Sequence, residues 1–304
     1  MERRVEIMVK VKSRTTKGDR IFDLIIVAIL GIICILILYP LYYVLVASFT
    51  DPNIVNTGKM LLYPEELYLD GYKKIFEYQD IWSGYWNTIQ YTVVGTIIAV
   101  AVTVPAAYAL SRRDMMGRKV LMFLFTFTMF FQGGIIPLFL IINNLKIYDT
   151  IWAIVLPTAV SVWNLIICRT FFESSIPTEI LEAAKIDGCT ELGIFFKIVL
   201  PVSMTIIAVM ILFYATSLWN SFMNPLMFLR SSDKMPLQVV LRNLVLSNQA
   251  AAMSADALDA AMRQKMADQM KYGIIVVSAV PLLCVYPFLQ KYFCLLYTSD
   301  VCYR

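Results

Sequence analysis

Histidine is absent from these 304 residues, which removes the commonest general base and the commonest metal ligand. Charge is scarce as well. Only 16% of the residues are Asp, Glu, Lys or Arg, whereas soluble domains run near about 25%. No nucleophile–base pair, metal-ligand cluster or His-Glu-x-x-His helix can be assembled, so no enzymatic chemistry and no metal site are expected. The 6 cysteines form neither a CxxC pair nor a zinc-type spacing. Lys and Arg are scattered at segment ends without an interleaved aromatic patch, which argues against nucleic acid as a partner.

What is present is apolar. Hydrophobic residues make up 59% of the chain and the mean hydropathy is +0.69. They gather into runs of the roughly 20 residues that a helix needs to cross a bilayer. Six segments qualify, at 21–49, 85–110, 119–142, 150–171, 194–218 and 273–293, and they predict an all-α polytopic membrane protein. The first follows a basic head, residues 1–20, carrying Arg3, Arg4, Lys10, Lys12, Arg14, Lys17 and Arg20. Its apolar run far exceeds the core of a signal peptide, so a retained span is expected, kinked at Pro40. Arg112, Arg113, Arg118 and Lys119 load one short loop, and Arg169, Lys185 and Lys197 load another. Segment 50–84 is instead rich in acids. The positive-inside rule then places both termini in the cytoplasm. Cys34, Cys168 and Cys284 fall within spans and Cys189, Cys294 and Cys302 on the cytoplasmic side, so no disulfide framework is expected.

Polar groups inside the spans are neutral. No Asp, Glu or Lys sits at mid-span, which disfavours a proton- or sodium-coupled carrier. Gln90, Thr92, Thr103, Thr126, Thr128, Gln132, Ser161, Asn164 and Ser203 remain. Sugars bind through hydrogen bonds and aromatic stacking, so Trp163 and Asn164 are the pair best suited to a substrate pathway. Bonding between helices or to backbone is the plainer explanation of them. Gly133, Gly134 and Pro137 are expected to break the third span, and the stretch 246–272 is rich in helix formers.

One stretch differs from all this, Leu181-Glu-Ala-Ala-Lys-Ile-Asp-Gly188. It sits on the loop 172–193 between spans four and five. Ser174 or Ser175 can cap a helix there, and Pro177 suits its first turn. Gly188 can end it in a left-handed conformation, giving about ten residues and about 15 Å. Thr190 can cap a second helix running into span five. Ile180, Ala183, Ala184 and Asp187 fall on one stripe, whose small side chains would let a partner backbone approach closely. Glu179 and Glu182 add rim charge for a basic partner. A plain connector between helices has the same local pattern.

Glu182-Ala183-Ala184, then three residues and Gly188, then nine residues and Ile198-x-Leu200-Pro201, resembles the EAA loop of ABC-importer permeases. The segments 131–157, "MPLQVVLRNLVL" and "VYPFLQKYF", resemble the carbohydrate-uptake branch, similar to the smaller maltose-type permease. The resemblance covers roughly residues 15–293. It implies the six-helix type I importer architecture, with Glu182, Ala183, Ala184, Asp187, Gly188, Leu200 and Pro201 coupling to the ATPase. Cytoplasmic ABC ATPase subunits, a second permease and an extracytoplasmic solute-binding protein are the implied partners, in a bacterial plasma membrane. The chain has no Gly-x-x-x-x-Gly-Lys phosphate loop of its own, so ATP is expected to be used by those subunits and no cofactor by this one. Residues 294–304 depart from the branch's Val-Lys-Gly ending and are expected to carry no function. The cargo implied is a sugar or oligosaccharide. A permease for peptides, polyols or phosphate esters is the alternative. A stand-alone channel or secondary carrier would call for charged pore residues or inverted repeats, and neither is evident.

Overall fold

The computed structural model describes residues 17–56, 63, 67–253, 268, 270–281 and 283–284. The basic head through residue 16, most of the acidic loop 57–66, the stretch 254–267, the end of the sixth predicted span (285–293) and the tail 294–304 lie outside the described residues. Every regular element among the described residues is helical. The chain divides into two compact units, Met1–Tyr68 and Leu69–Arg304.

The first unit is built on α1 (Lys17–Phe49), which runs without a break through Pro40. Its side chains are apolar around the whole circumference and exposed from Ile21 through Leu41. Such a helix has no soluble solution, because no face can be turned to water. Mean hydropathy in its best window reaches 3.3. A short α2 (Pro52–Asn56) follows, and the Tyr68 amide donates to the Phe49 carbonyl at 2.9 Å, closing the unit.

In the second unit α3 (Asp70–Glu77) leads into α4 (Gln79–Ser111), the other unbroken helix long and apolar enough to span. The third predicted span is two helices, α5 (Arg118–Phe130) and α6 (Ile135–Asn144), bent by 113°. The break falls where expected, at Gly133-Gly134, and Gly134 takes φ +84°, a conformation that costs glycine little. The fourth predicted span is also interrupted. It comprises α7 (Trp152–Val155) and α8 (Val162–Ser175), with Pro157 between them and the Ser161 hydroxyl capping α8. Alone, α8 is about 21 Å long at 1.5 Å per residue, short of a bilayer core.

Next come α9 (Thr178–Ile186), α10 (Glu191–Val202) and α11 (Met204–Trp219), the last two bent by 80° about Ser203. The chain continues through α12 (Met223–Phe228), α13 (Leu237–Met253) and α14 (Met270–Pro281). The described helices thus supply two unbroken spans, or four when each bent pair counts as one. Among the described residues Cys34, Cys168, Cys189 and Cys284 are free thiols.

Helix α4 is the axis of this unit, since all three core clusters draw on it. At one end Ile81 packs with residues of α3, α13 and α14. At its middle Tyr91 joins Ile142, Ile154 and Phe228. At its other end Ala107, Tyr108 and Leu110 pack with α8, α9, α10 and α11. Gly95 permits the closest approach: a Cβ there would stand 2.6 Å from Leu218 Cδ1 of α11.

Candidate functional site

The EAA stretch forms α9, and its ends are set by backbone chemistry. Pro177, at φ −60° and ψ 139°, brings the chain in extended. The expected serine cap does not form. Ser175 still belongs to α8, and the Ser174 hydroxyl donates back to the Phe171 carbonyl at 3.2 Å. Glu179 in the first turn and Lys185 in the last both suit the helix dipole. The exit is a Schellman motif with Gly188 at φ +77°. The Cys189 amide donates to the Ala184 carbonyl and the Gly188 amide to the Lys185 carbonyl, both at 3.0 Å. Thr190 then caps α10, its hydroxyl accepting from the Gly193 amide at 3.1 Å.

The faces of α9 differ from the stripe expected of the sequence. Leu181 and Ala184 are buried in the cluster that holds Tyr108, Phe172 and Phe195. Ile180, Glu182, Ala183, Ile186, Asp187 and Gly188 face outward. The two alanines therefore have different duties. Ala184 lets α9 lie against the helices beneath it, and Ala183 is exposed on the outer face. The split follows from Leu181 and Ala184 sharing one face at i, i+3.

Leu200 and Pro201 lie outside this surface. They end a π turn, Phe195–Val199, in which the Leu200 amide reaches back to the Phe195 carbonyl. A proline has no amide to donate and crowds the carbonyl four residues back, and the widened turn accommodates it. Ser203 follows at the bend, fully buried, its hydroxyl without a hydrogen-bond partner among the described residues.

Two ionic networks flank α9, and the sequence alone did not reveal either. In the first, Arg112 pairs with Asp114 at 2.9 Å, and Lys185 joins Glu191 at 2.8 Å and Asp114 at 3.5 Å. The Arg112 hydrogen bond holds the Asp114 carboxyl well below the usual carboxylate range, and Asp114 in turn raises Arg112. The hydrogen bond to Glu191 raises Lys185. In the second, Glu173 takes both Arg169, at 2.6 Å, and Arg118. Between the networks lies a polar concavity of about 760 Å³ lined by Arg112, Arg113, Arg118, Glu179 and Glu182.

Trp163 and Asn164, the expected pathway residues, sit in the first turn of α8 on a second concavity of about 400 Å³. Trp163 is 59% exposed, whereas Asn164 is 7% exposed. The Asn164 carboxamide makes no hydrogen bond among the described residues. Thr158, Ser161, Tyr214 and Ser217 line the same space. The Tyr214 hydroxyl shares a hydrogen bond with Thr103 of α4 at 2.7 Å and accepts from the Ser161 amide at 3.1 Å. Of these, Thr103 and Ser161 were conspicuous in sequence. Thr158, Tyr214 and Ser217 arrive through the pairing of α8 with α11, which no local pattern announces.

A charged surface helix stapled to a bundle of broken apolar helices defines a membrane-embedded transport component. Residues 81–294 match the family of binding-protein-dependent transport system inner membrane components, and the chain belongs to that family. It is 42% identical over 276 residues to the polygalacturonan/rhamnogalacturonan transport system permease protein YtcP of Bacillus subtilis, covering 90% of this chain and 96% of that one. It is 31% identical over 218 residues to the arabinooligosaccharides transport system permease protein AraQ of Halalkalibacterium halodurans, covering 70% and 78%. A chain of a bacterial ABC transporter involved in the import of the acidic polysaccharide alginate shares the fold. Its TM-score is 0.79 at 33% identity, covering 91% of this chain and 98% of that chain.

Proposed function

We propose that this chain is one of two permease subunits of a bacterial ABC importer that moves an oligosaccharide delivered by an extracytoplasmic solute-binding protein. The observation that carries the reading is the exposed surface of α9, where Glu182, Ala183, Asp187 and Gly188 stand together on a short helix fixed at both ends. A stiff, small-faced helix can enter a groove on a partner and pass its movement on. In this reading the partner is a cytoplasmic ATPase subunit. Six spans cross the plasma membrane and both termini lie inside. ATP is bound by the ATPase pair, and closure of that pair draws the α9 helices together and turns the pore outward. Loaded binding protein and ATP favour the same state, so each shifts the population toward it. Pro201 and Leu200 serve the coupling by shaping α10.

The cargo is read from the relatives, which are permeases of polygalacturonan/rhamnogalacturonan and arabinooligosaccharide transport systems and a transporter involved in the import of alginate. The concavity beside Trp163 and Asn164 suits such a cargo. Its free carboxamide and hydroxyls can exchange hydrogen bonds with sugar hydroxyls, and the indole offers a stacking face. The first test is a thermal-shift panel on the cognate solute-binding protein, with oligogalacturonides, arabino-oligosaccharides, polyols and peptides. A true ligand at 100 times its Kd stabilises by about 2.7 kcal/mol. Stabilisation by one saccharide series is expected, and a response to peptides alone would overturn the sugar assignment. For the coupling role, Glu182→Lys should insert normally yet lose ATPase association and uptake. Wild-type uptake by that variant would sink it.

A further inference from the structure

Glu173 lies two residues before the end of α8, and its carboxylate pairs α8 with α5 through Arg169 and Arg118. The Arg169 guanidinium, one turn earlier on α8, donates from Nη2 to Glu173 Oε1 at 2.6 Å and from Nε to the Leu110 carbonyl at 3.0 Å. Leu110 belongs to the last turn of α4, whose carbonyls have no partner within the helix, so Arg169 caps α4. Arg118 binds the same Oε1 atom. It is the first residue of α5, where the helix dipole disfavours a cation, and Glu173 supplies the compensating charge. The three side chains are 22%, 30% and 18% exposed for Arg118, Glu173 and Arg169, so solvent screens them less than it does a surface pair.

The connection from this carboxylate to α9 is short. Ser174 and Ser175 finish α8, Ile176 is extended, and Pro177 has its φ fixed. The fixed φ of Pro177 removes one torsion from an already short linker. At the far end of α9 the Lys185–Glu191 and Lys185–Asp114 contacts tie it to α10 and to the loop after α4. These pairs are more exposed than those of Glu173, and the buried Leu181 and Ala184 hold α9 between the two networks.

We propose that Glu173 is a positioning residue for energy coupling: by joining Arg169 and Arg118 it locks the ends of α4, α5 and α8 into one block. Displacement of α9 by the ATPase then moves that block as a whole. This rests on the reading of α9 as the ATPase-coupling helix. Loss of the carboxylate leaves two guanidinium groups facing one another and frees α5 from α8, while Arg169 keeps its own bond to the Leu110 carbonyl. The helix α9 still docks, but its movement is spent in the joint.

The test uses the whole importer in proteoliposomes, with its binding protein charged by the oligosaccharide that stabilises it in the panel above. Glu173→Gln is expected to hold its ATPase subunits and keep the basal rate of ATP hydrolysis. Stimulation by charged binding protein should fall by about tenfold, within the usual range of coupling between sites. A merely structural role would lower basal and stimulated rates together. The double variant Arg118→Glu/Glu173→Arg returns a carboxylate between two arginines and should recover most of the stimulation. Wild-type stimulation in Glu173→Gln would overturn the proposal. Should that variant fail to accumulate, Arg118→Gln carries the same test, since it keeps the Arg169–Glu173 pair while freeing α5, and unchanged stimulation there is equally fatal. Retention of the ATPase by Glu182→Lys would instead overturn the reading of α9 on which the proposal rests, and is told apart from failure of the Glu173 joint because Glu173→Gln is read by stimulation and not by association.

Discussion

The hydroxyl of Tyr214 is a single atom with two jobs. It accepts from the Ser161 amide at the start of α8 and bonds Thr103 in the middle of α4, while its ring is buried in the core. Three elements therefore meet on a side chain that also borders the concavity of Asn164. Inside a bilayer such an interhelical bond contributes about 0.6 kcal/mol on average and up to about 1.7. Tyr214→Phe keeps the ring and orphans two partners, so a loss near the upper figure is expected on unfolding of the purified protein. Unchanged melting in that variant would mean that water replaces the hydroxyl, and that the concavity is wetter than its lining suggests.

At the scale of elements, α9 shows how punctuation and packing divide the information. Its limits are legible in sequence because Pro177, Gly188 and Thr190 each fix a backbone geometry locally. Its faces are not, because the burial of Ala184 depends on Tyr108, Phe172 and Phe195, which other elements bring. This makes the two alanines unequal. Ala184→Leu overpacks a filled site and should cost about 1–3 kcal/mol, seen as a lowered melting temperature. Ala183→Leu should leave melting unchanged and weaken ATPase association in a pull-down. Equal effects of the two on melting would contradict the orientation of α9. The same division explains the broken helices. Gly133-Gly134 advertises the break between α5 and α6, whereas the bend at Ser203 sits in an unbroken apolar run where only Pro201 hints at it. A run that is apolar throughout reports its length and hides its corners. For the candidate site, the motif picked out the residues of α9 but not which of them face outward, since Ala184 is buried. The arginines and acids that hold it were not legible, because Arg112, Asp114, Arg118, Glu173 and Glu191 meet only once four helices have packed.

Across the whole second unit, α4 carries a latch near each end. Towards its C-terminus stand Tyr108 and Arg112 with their networks. Towards its N-terminus Asn87 donates to the carbonyls of Asp233 and Met235, the Thr88 hydroxyl accepts from the Leu237 amide, and Tyr91 donates to the Lys234 carbonyl. The two sets are about 32 Å apart centre to centre along the helix, from the rise of 1.5 Å per residue, which is close to the thickness of a bilayer's hydrocarbon core. Asp149 completes the N-terminal latch. Its carboxylate accepts from the Ser231 hydroxyl at 2.6 Å, from the Arg230 and Ser231 amides and from Lys234 at 2.9 Å. The Ser231 hydroxyl, the Ser231 amide and Lys234 together hold the Asp149 carboxyl well below the usual carboxylate range. A carboxyl depressed in the folded state stabilises it fully above the unfolded value, about 3.9 for Asp. That contribution fades as pH falls through the folded value. The difference in melting temperature between wild type and Asp149→Asn should therefore be flat from about pH 5 to 8 and shrink only below about pH 4. A difference that already narrows between neutral pH and pH 6 would mean that the carboxylate is not held by these donors, and that the 229–237 loop is free to swing.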